Sequence, residues 1–150
     1  MKAVIQRVKH ASVIVNGEKI SDIQQGLLIL LGVSINDTKE DIDWLSKKIA
    51  NLRIFNDANG VMNQSLIAVD GDAIVVSQFT LQASTKKGNR PSYLQAARPE
   101  KAIPLYEGFV AQFEHDLGKK VGTGEFGADM KVELLNDGPV TIIIDTENKI

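Results

Sequence analysis

Asn16-Gly17 is the most restrictive local signal in the chain. A two-residue turn between antiparallel strands needs positive φ at its centre, and Asn-Gly meets that need better than most pairs. The flanks agree with it. Ala11 to Val15 is rich in β-branched residues and runs into the turn, and Lys19 to Ile23 supplies the return strand. Upstream, apolar and polar residues roughly alternate from Ala3 to Val8, the period of a strand with one buried face. After Gly26 the run LLILLGV is apolar without a break, which predicts a strand buried on both faces. Its apolar centre, Leu27 to Leu31, is far short of the ~20 residues of a membrane span. The opening MKAVIQRV has neither the apolar stretch nor the cleavage site of a signal peptide, so a cytoplasmic protein with no membrane partner is expected.

Helical signals follow. Asn36, Asp37 and Thr38 offer capping oxygens, and Ile42, Leu45, Ile49 and Leu52 recur at spacings of three and four. Arg53 to Phe55 reads as a short strand before the turn Asn56 to Gly60, and Ala73 to Leu81 as a strong strand after Asp70-Gly71. Pro99 suits the first turn of a second helix with apolar positions Ala102, Leu105, Tyr106, Phe109, Phe113 and Leu117. Gly118 fits its C-cap. Lys131 to Leu135 and Val140 to Asp145 read as two strands joined by a turn at Asn136-Asp137-Gly138-Pro139. Many short strands with two substantial helices give the class α+β. The 150 residues are expected to form a single domain, 1–150, large enough to need no disulfide or metal staple.

Composition narrows the chemistry. Cysteine is absent, which excludes thiolate zinc sites and cysteine nucleophiles. Only His10 and His115 are present, far apart, so a histidine-based triad or metal site is not expected, while a carboxylate site stays open. The net charge of -2 argues against a generally basic nucleic-acid coat. It conceals one local exception: residues 83–98 carry Lys86, Lys87, Arg90 and Arg98 and no acid.

Several motifs admit two readings. GTGEFG, 122–127, matches G-x-G-x-x-G, but a helix precedes it, a strand follows and no βαβ unit is available, so it reads as a turn or a substrate-lining loop. Asn63-Gln64-Ser65 matches a glycosylation sequon, which carries no meaning without a secretory signal. There is no G-x-S-x-G elbow. Ser77-Gln78-Phe79-Thr80-Leu81 turns polar on both faces of its strand, so it either emerges at an edge or lines a site. Arg7 shares its strand face with Ala3 and Ile5, so it either snorkels to solvent or is buried against specific acceptors. Gly138-Pro139 is a rigid turn or a cis peptide.

Taken together, MKAVIQRV, LLILLGV, RIFNDANGVMNQS, SQFTL, KKGNRPS, FGADM and NDGPVT resemble the D-aminoacyl-tRNA deacylase family, in order from Met1 to about Thr141. SQFTL and NDGPVT match the two signature motifs. Val61 stands where the family often has lysine, and Tyr93 replaces a common phenylalanine. The resemblance implies a compact β-barrel-like sheet assembly with two main outer helices, and a homodimer with active sites at the subunit interface. It also implies an enzyme that hydrolyses the ester of D-aminoacyl-tRNA, and of glycyl-tRNA, to free tRNA and amino acid.

The site residues follow from the same resemblance. Gly138 and Pro139 would form a cis unit that enters the partner's pocket and refuses the L-ester, with Arg7 holding it. Ser77, Gln78, Phe79 and Thr80 would line the ester site. Thr80 has no evident base, which favours a role in positioning the ester or the attacking water over covalent attack. Backbone N–H groups near Phe79 and Thr80 would stabilise the oxyanion, and the adenosine 2′-hydroxyl would assist. Phe126 and Met130 would wall the adenosine and aminoacyl pocket, and Lys86, Lys87 and Arg90 would meet acceptor-stem phosphates. No cofactor and no metal are expected. The alternative is a non-catalytic tRNA- or nucleotide-binding module on the same scaffold, motivated by the basic 83–98 segment.

Overall fold

A computed structural model describes all residues from Met1 to Ile150. Strand β1 (Lys2–Val15) passes through Asn16 and Gly17, both at positive φ, into β2 (Glu18–Ile23), as the hairpin signal predicts. The chain continues into β3 (Gly26–Gly32) along the same edge of β1. β2 pairs with the second half of β1 (Val15↔Glu18) and β3 with the first half (Lys2↔Gly32). The helix α1 (Lys39–Asn51) and the hairpin β4 (Phe55–Asn56) and β5 (Met62–Gln64) come next. Strand β6 (Asp72–Ser77) runs parallel to β3, and after α2 (Pro99–Leu117) the short β7 (Gly122–Thr123) runs parallel to β6.

The sheet then curls back on itself. Ser21 Oγ on β2 donates to the Thr123 carbonyl at 2.6 Å and accepts the Thr123 N–H at 3.0 Å. That pair of bonds ties β7 to β2 and makes the sheet barrel-like. The last strand, β8 (Met130–Asp145), covers the other edge of β1 from Lys2↔Asp145 to Val15↔Met130. β8 pairs only with β1, so its outer edge has no partner within the chain.

The continuous LLILL run is buried on both faces because each face meets a different core. Leu27, Ile29 and Leu31 face α1 and α2 with Ile5, Leu45, Ile49, Phe109 and Phe113. Leu28 faces the inside of the curl with Val8, Val13, Ile74 and Val76. Fully burying each such side chain contributes about 1.5–3 kcal/mol. Of the three candidate caps, Thr38 is the one used, in a capping box: Asp41 Oδ2 accepts the Thr38 N–H at 2.8 Å. α2 starts at Pro99, tolerates Pro104 early, and ends at Gly118 in the left-handed conformation.

Two sequence expectations are corrected. Ala73 to Leu81 is not one strand. β6 stops at Ser77, where its partner β3 runs out, and Phe79–Gln82 form a 3₁₀ turn. The buried Gln82 fixes that turn by donating from Nε2 to the Gly32 carbonyl at 2.9 Å. Likewise, 131–135 and 140–145 are not two strands of a hairpin. Both flanks stay on the same edge of β1 as parts of one strand, and Asn136-Asp137-Gly138-Pro139 is a bulge within it. β8 advances from Asn136 to Thr141 while β1 covers only Val8 to Gln6, so the residues between protrude. The Gly138-Pro139 peptide is cis.

No helix is long and apolar enough to cross a membrane.

Candidate active site

The end of β6 and the 3₁₀ turn open into a pocket of about 340 Å³. Ser77, Gln78 and Phe79 form one wall, and Phe126, Met130 and Val132 form another. Leu31, Val33 and Val76 lie between them. Thr80 stands beside the wall rather than on it. Its Oγ accepts a hydrogen bond from Gln78 Nε2 at 2.5 Å, so Thr80 meets the pocket through the Gln78 amide. A turn and not a strand brings Gln78 and Thr80 together. As the first residues of the 3₁₀ turn, Phe79 and Thr80 also present N–H groups that the turn's own geometry leaves without a partner.

The pocket holds neither histidine. His10 and His115 are exposed elsewhere. Asp129 is the one carboxylate on the wall, and its oxygens accept from Lys131 Nζ at 3.2 and 3.1 Å in solvent. The other polar side chains on the wall are the Ser77 hydroxyl and the Gln78 amide.

Two residues missed from the sequence shape the second wall. Tyr106 on α2 sits behind Phe126, ring centroids 6.2 Å apart, and its hydroxyl donates to the Val75 carbonyl at 2.7 Å. In the sequence it is indistinguishable from the apolar stripe of α2. Burial pushes its phenol up from 10.0 to about 12. A raised folded pKa means stability is whole below the unfolded value near 10 and is lost as pH rises toward 12. The loss amounts to about 2–3 kcal/mol. Tyr106→Phe should therefore be the less stable protein at pH 8, by about 1 kcal/mol for the lost bond. Denaturant titrations should show this gap closing and reversing between pH 10 and 12.

Gly124, within GTGEFG, is the second. A Cβ at Gly124 would overlap Met130 Sδ, and the Glu125 N–H donates to that sulfur at 3.4 Å. The motif therefore seats Met130, a pocket side chain, and is not followed by the helix a phosphate cradle needs. Gly124→Ala should push Met130 into the pocket at about 1–3 kcal/mol. Thermal melting and substrate KM should both register it, and Met130→Ala in the same chain should relieve it.

Gly138 and Pro139 lie outside this pocket and are exposed. Arg7, 7% exposed, holds the bulge from below: Nε donates to the Asp137 carbonyl at 2.9 Å. Its Nη1 donates to the Ile54 carbonyl at 2.9 Å and to Asn56 Oδ1 at 3.2 Å. Of the two readings for Arg7, burial against specific acceptors is the one observed. Asn136 stitches the bulge from above, accepting the Val140 N–H at 2.9 Å and donating to Thr141 Oγ at 3.0 Å. Lys86, Lys87 and Arg90 are exposed on a lobe closed by reciprocal bonds between Ser84 and Ser92 at 2.8 and 2.9 Å.

Fold and site together define a class: a barrel-like α+β protein with two outer helices and a largely apolar pocket into which Ser77, Gln78 and Asp129 bring polar groups. Residues 4–145 match the D-Tyr-tRNA(Tyr) deacylase family. The chain is 65% identical to the D-aminoacyl-tRNA deacylase of Bacteroides fragilis (strain YCH46) over 149 residues, 99% of both chains. It is 64% identical to that of Flavobacterium johnsoniae, again over 99% of both. Among solved structures it superposes on the c-Myc DNA Unwinding Element Binding Protein with TM-score 0.91 and 42% identity, covering 97% of this chain and 99% of that one. The chain belongs to the D-Tyr-tRNA(Tyr) deacylase family, a family of hydrolytic enzymes.

Proposed function

We propose that this protein hydrolyses the ester between a D-amino acid, or glycine, and the terminal adenosine of tRNA, and rejects the L-ester. The observation that carries this reading is a division within one chain. The wall of Ser77, Gln78 and Phe79 opens on a pocket, while the Gly138-Pro139 bulge projects from a different part of the sheet and lies outside that pocket. Each becomes useful when two copies meet. The unpartnered outer edge of β8, with Leu135 and Ile143 exposed along the strand, supports such a homodimer.

The chemistry asks for discrimination that ignores the side chain. One net hydrogen bond contributes about 0.5–1.5 kcal/mol, roughly tenfold, which is too little against abundant L-aminoacyl-tRNA. Steric refusal by a stiff main-chain element does better. In this reading Gly138 and Pro139 enter the partner's pocket near the substrate α-carbon, and Arg7 is their positioning residue. Phe126 and Met130 wall the adenosine, and Lys86, Lys87 and Arg90 meet phosphates. Water attacks the ester carbonyl and the bond to the ribose oxygen breaks, with the adenosine 2′-hydroxyl assisting. Ser77, Gln78 and the N–H groups of Phe79 and Thr80 stabilise the developing oxyanion.

The test is paired hydrolysis of D-tyrosyl-tRNA and L-tyrosyl-tRNA by the purified protein. The D-ester should be cleaved and the L-ester spared by at least about a hundredfold, the ratio given by about 3 kcal/mol of refusal. Equal rates on both would overturn the chiral mechanism, and tRNA binding without turnover would favour a binding module.

A further inference from the structure

We propose that Tyr93 and Leu94, together with the exposed edge of Phe79, form a stacking platform for the single-stranded nucleotide next to the terminal adenosine of the substrate RNA. This rests on the deacylase reading and extends the binding surface beyond the pocket.

Three large apolar side chains are exposed in and beside the pocket wall: Phe79, which lines the pocket, is 54% exposed, Tyr93, in contact with the Phe79 ring, 40%, and Leu94, next in sequence, 83%. Phe79 also lines the pocket, so the platform continues its wall outward. The Phe79 and Tyr93 rings meet edge to face at 5.0 Å and 69°, which orients them relative to one another. The backbone beneath is tied down on both sides. Ser84 and Ser92 close the lobe before Tyr93, while the Ala96 N–H donates to the Tyr93 carbonyl at 3.0 Å and the Ala97 N–H to the Val33 carbonyl at 2.9 Å. An exposed aromatic on an anchored turn is a preformed surface, and binding to it orders little.

Charge decides which occupant fits. The segment 83–98 that carries the platform holds Lys86, Lys87, Arg90 and Arg98 and no acid, in a chain whose net charge is -2. Aromatic faces interleaved with cations are what single-stranded nucleic acid needs: a π-face for the base and ammonium or guanidinium for the phosphate. With the terminal adenosine in the pocket, the next nucleotide of the strand would pass Phe79, against whose ring Tyr93 stands.

The experiment compares two substrates and two variants. D-tyrosyl-tRNA spans the platform, whereas D-tyrosyl-adenosine, the terminal nucleoside ester alone, does not. Tyr93→Ala should raise KM for D-tyrosyl-tRNA about ten- to hundredfold with kcat little changed. It should leave turnover of D-tyrosyl-adenosine within about twofold of wild type. Tyr93→Phe keeps the ring and should behave as wild type on both. Equal losses on both substrates would overturn the platform, because Tyr93 would then act by positioning Phe79. Unchanged KM for the tRNA would overturn it too, as would a monomeric Tyr93→Ala protein in sedimentation, which would give the surface to a second copy. A wild type inactive on both substrates would remove the deacylase reading itself, whereas an active wild type with an indifferent Tyr93→Ala removes the platform alone.

Discussion

Replacing Arg7 with alanine should lower stability by about 3 kcal/mol or more and, in the same protein, narrow the ratio of D- to L-ester hydrolysis. The guanidinium is buried and serves three acceptors, the carbonyls of Asp137 and Ile54 and Oδ1 of Asn56. The Asp137 carboxylate adds a longer ion pair at 3.7 Å. Truncation strips all of these acceptors at once and leaves a hole beneath the bulge. Lysine would not repair it, since one ammonium lacks the planar fork that reaches β4 and β8 together. Gly138 is the most sensitive neighbour: its φ is +137°, and Arg7 Nη2 lies 3.2 Å from where a Cβ would stand. With Arg7 gone, the main chain at 137–139 loses its floor, and if Gly138-Pro139 refuses the L-ester as proposed, an element that can recede no longer refuses. Chemical denaturation measures the first effect, and paired D- and L-tyrosyl-tRNA rates measure the second. Stability that falls while the rate ratio holds would separate Arg7 from selectivity and leave it a purely structural residue.

How much of this the sequence carried depends on the range of the interactions. The Asn16-Gly17 hairpin, a helix cap within Asn36 to Thr38, and the Pro99 and Gly118 limits of α2 were legible because each is decided within a few residues. So was the burial of LLILL on two faces. The ends of β6 and the shape of β8 were not. β6 stops where β3 stops, and β8 refuses to turn at Asn136 to Pro139 because β1 is long enough to hold both flanks. Local turn chemistry predicts a hairpin there, and tertiary pairing overrides it. The site divides in the same way. Ser77, Gln78 and Phe79 are found together on one wall, where polarity had left a strand edge and a site lining both open, and Phe126 and Met130 face them across a long sequence gap bridged only by family resemblance. Tyr106, Gly124 and the acceptors of Arg7 at Ile54 and Asn56 had no signal of their own. A buried tyrosine in an apolar stripe and a glycine in a misleading G-x-G-x-x-G become informative only when the neighbours are known.

Thr80→Ala should retain measurable deacylation, with kcat down about a hundredfold, the usual consequence of losing one oriented donor in such a site. The hydroxyl is poorly arranged for covalent attack. Gln78 Nε2 donates to Oγ at 2.5 Å, which engages a lone pair, and an amide cannot take the proton that a nucleophilic hydroxyl must lose. No histidine reaches the pocket, and Asp129 is turned to Lys131 in solvent. What the bond does achieve is orientation. With the Gln78 amide as donor to Oγ, the Thr80 hydroxyl proton is free to point outward, and the Gln78 side chain is held on the wall. Thr80→Ala removes both the outward donor and the anchor of Gln78. Thr80→Ser keeps both and should stay within about threefold of wild type, because only a methyl group is lost. Covalent catalysis predicts a different pattern: loss by many orders of magnitude in Thr80→Ala, and a labelled D-amino acid trapped on wild-type protein by acid quench. A trapped acyl-enzyme that disappears in Thr80→Ala would replace positioning with a threonyl ester. Residual turnover with no trapped label would leave the attack to water, steered by a hydroxyl, an amide and two backbone N–H groups.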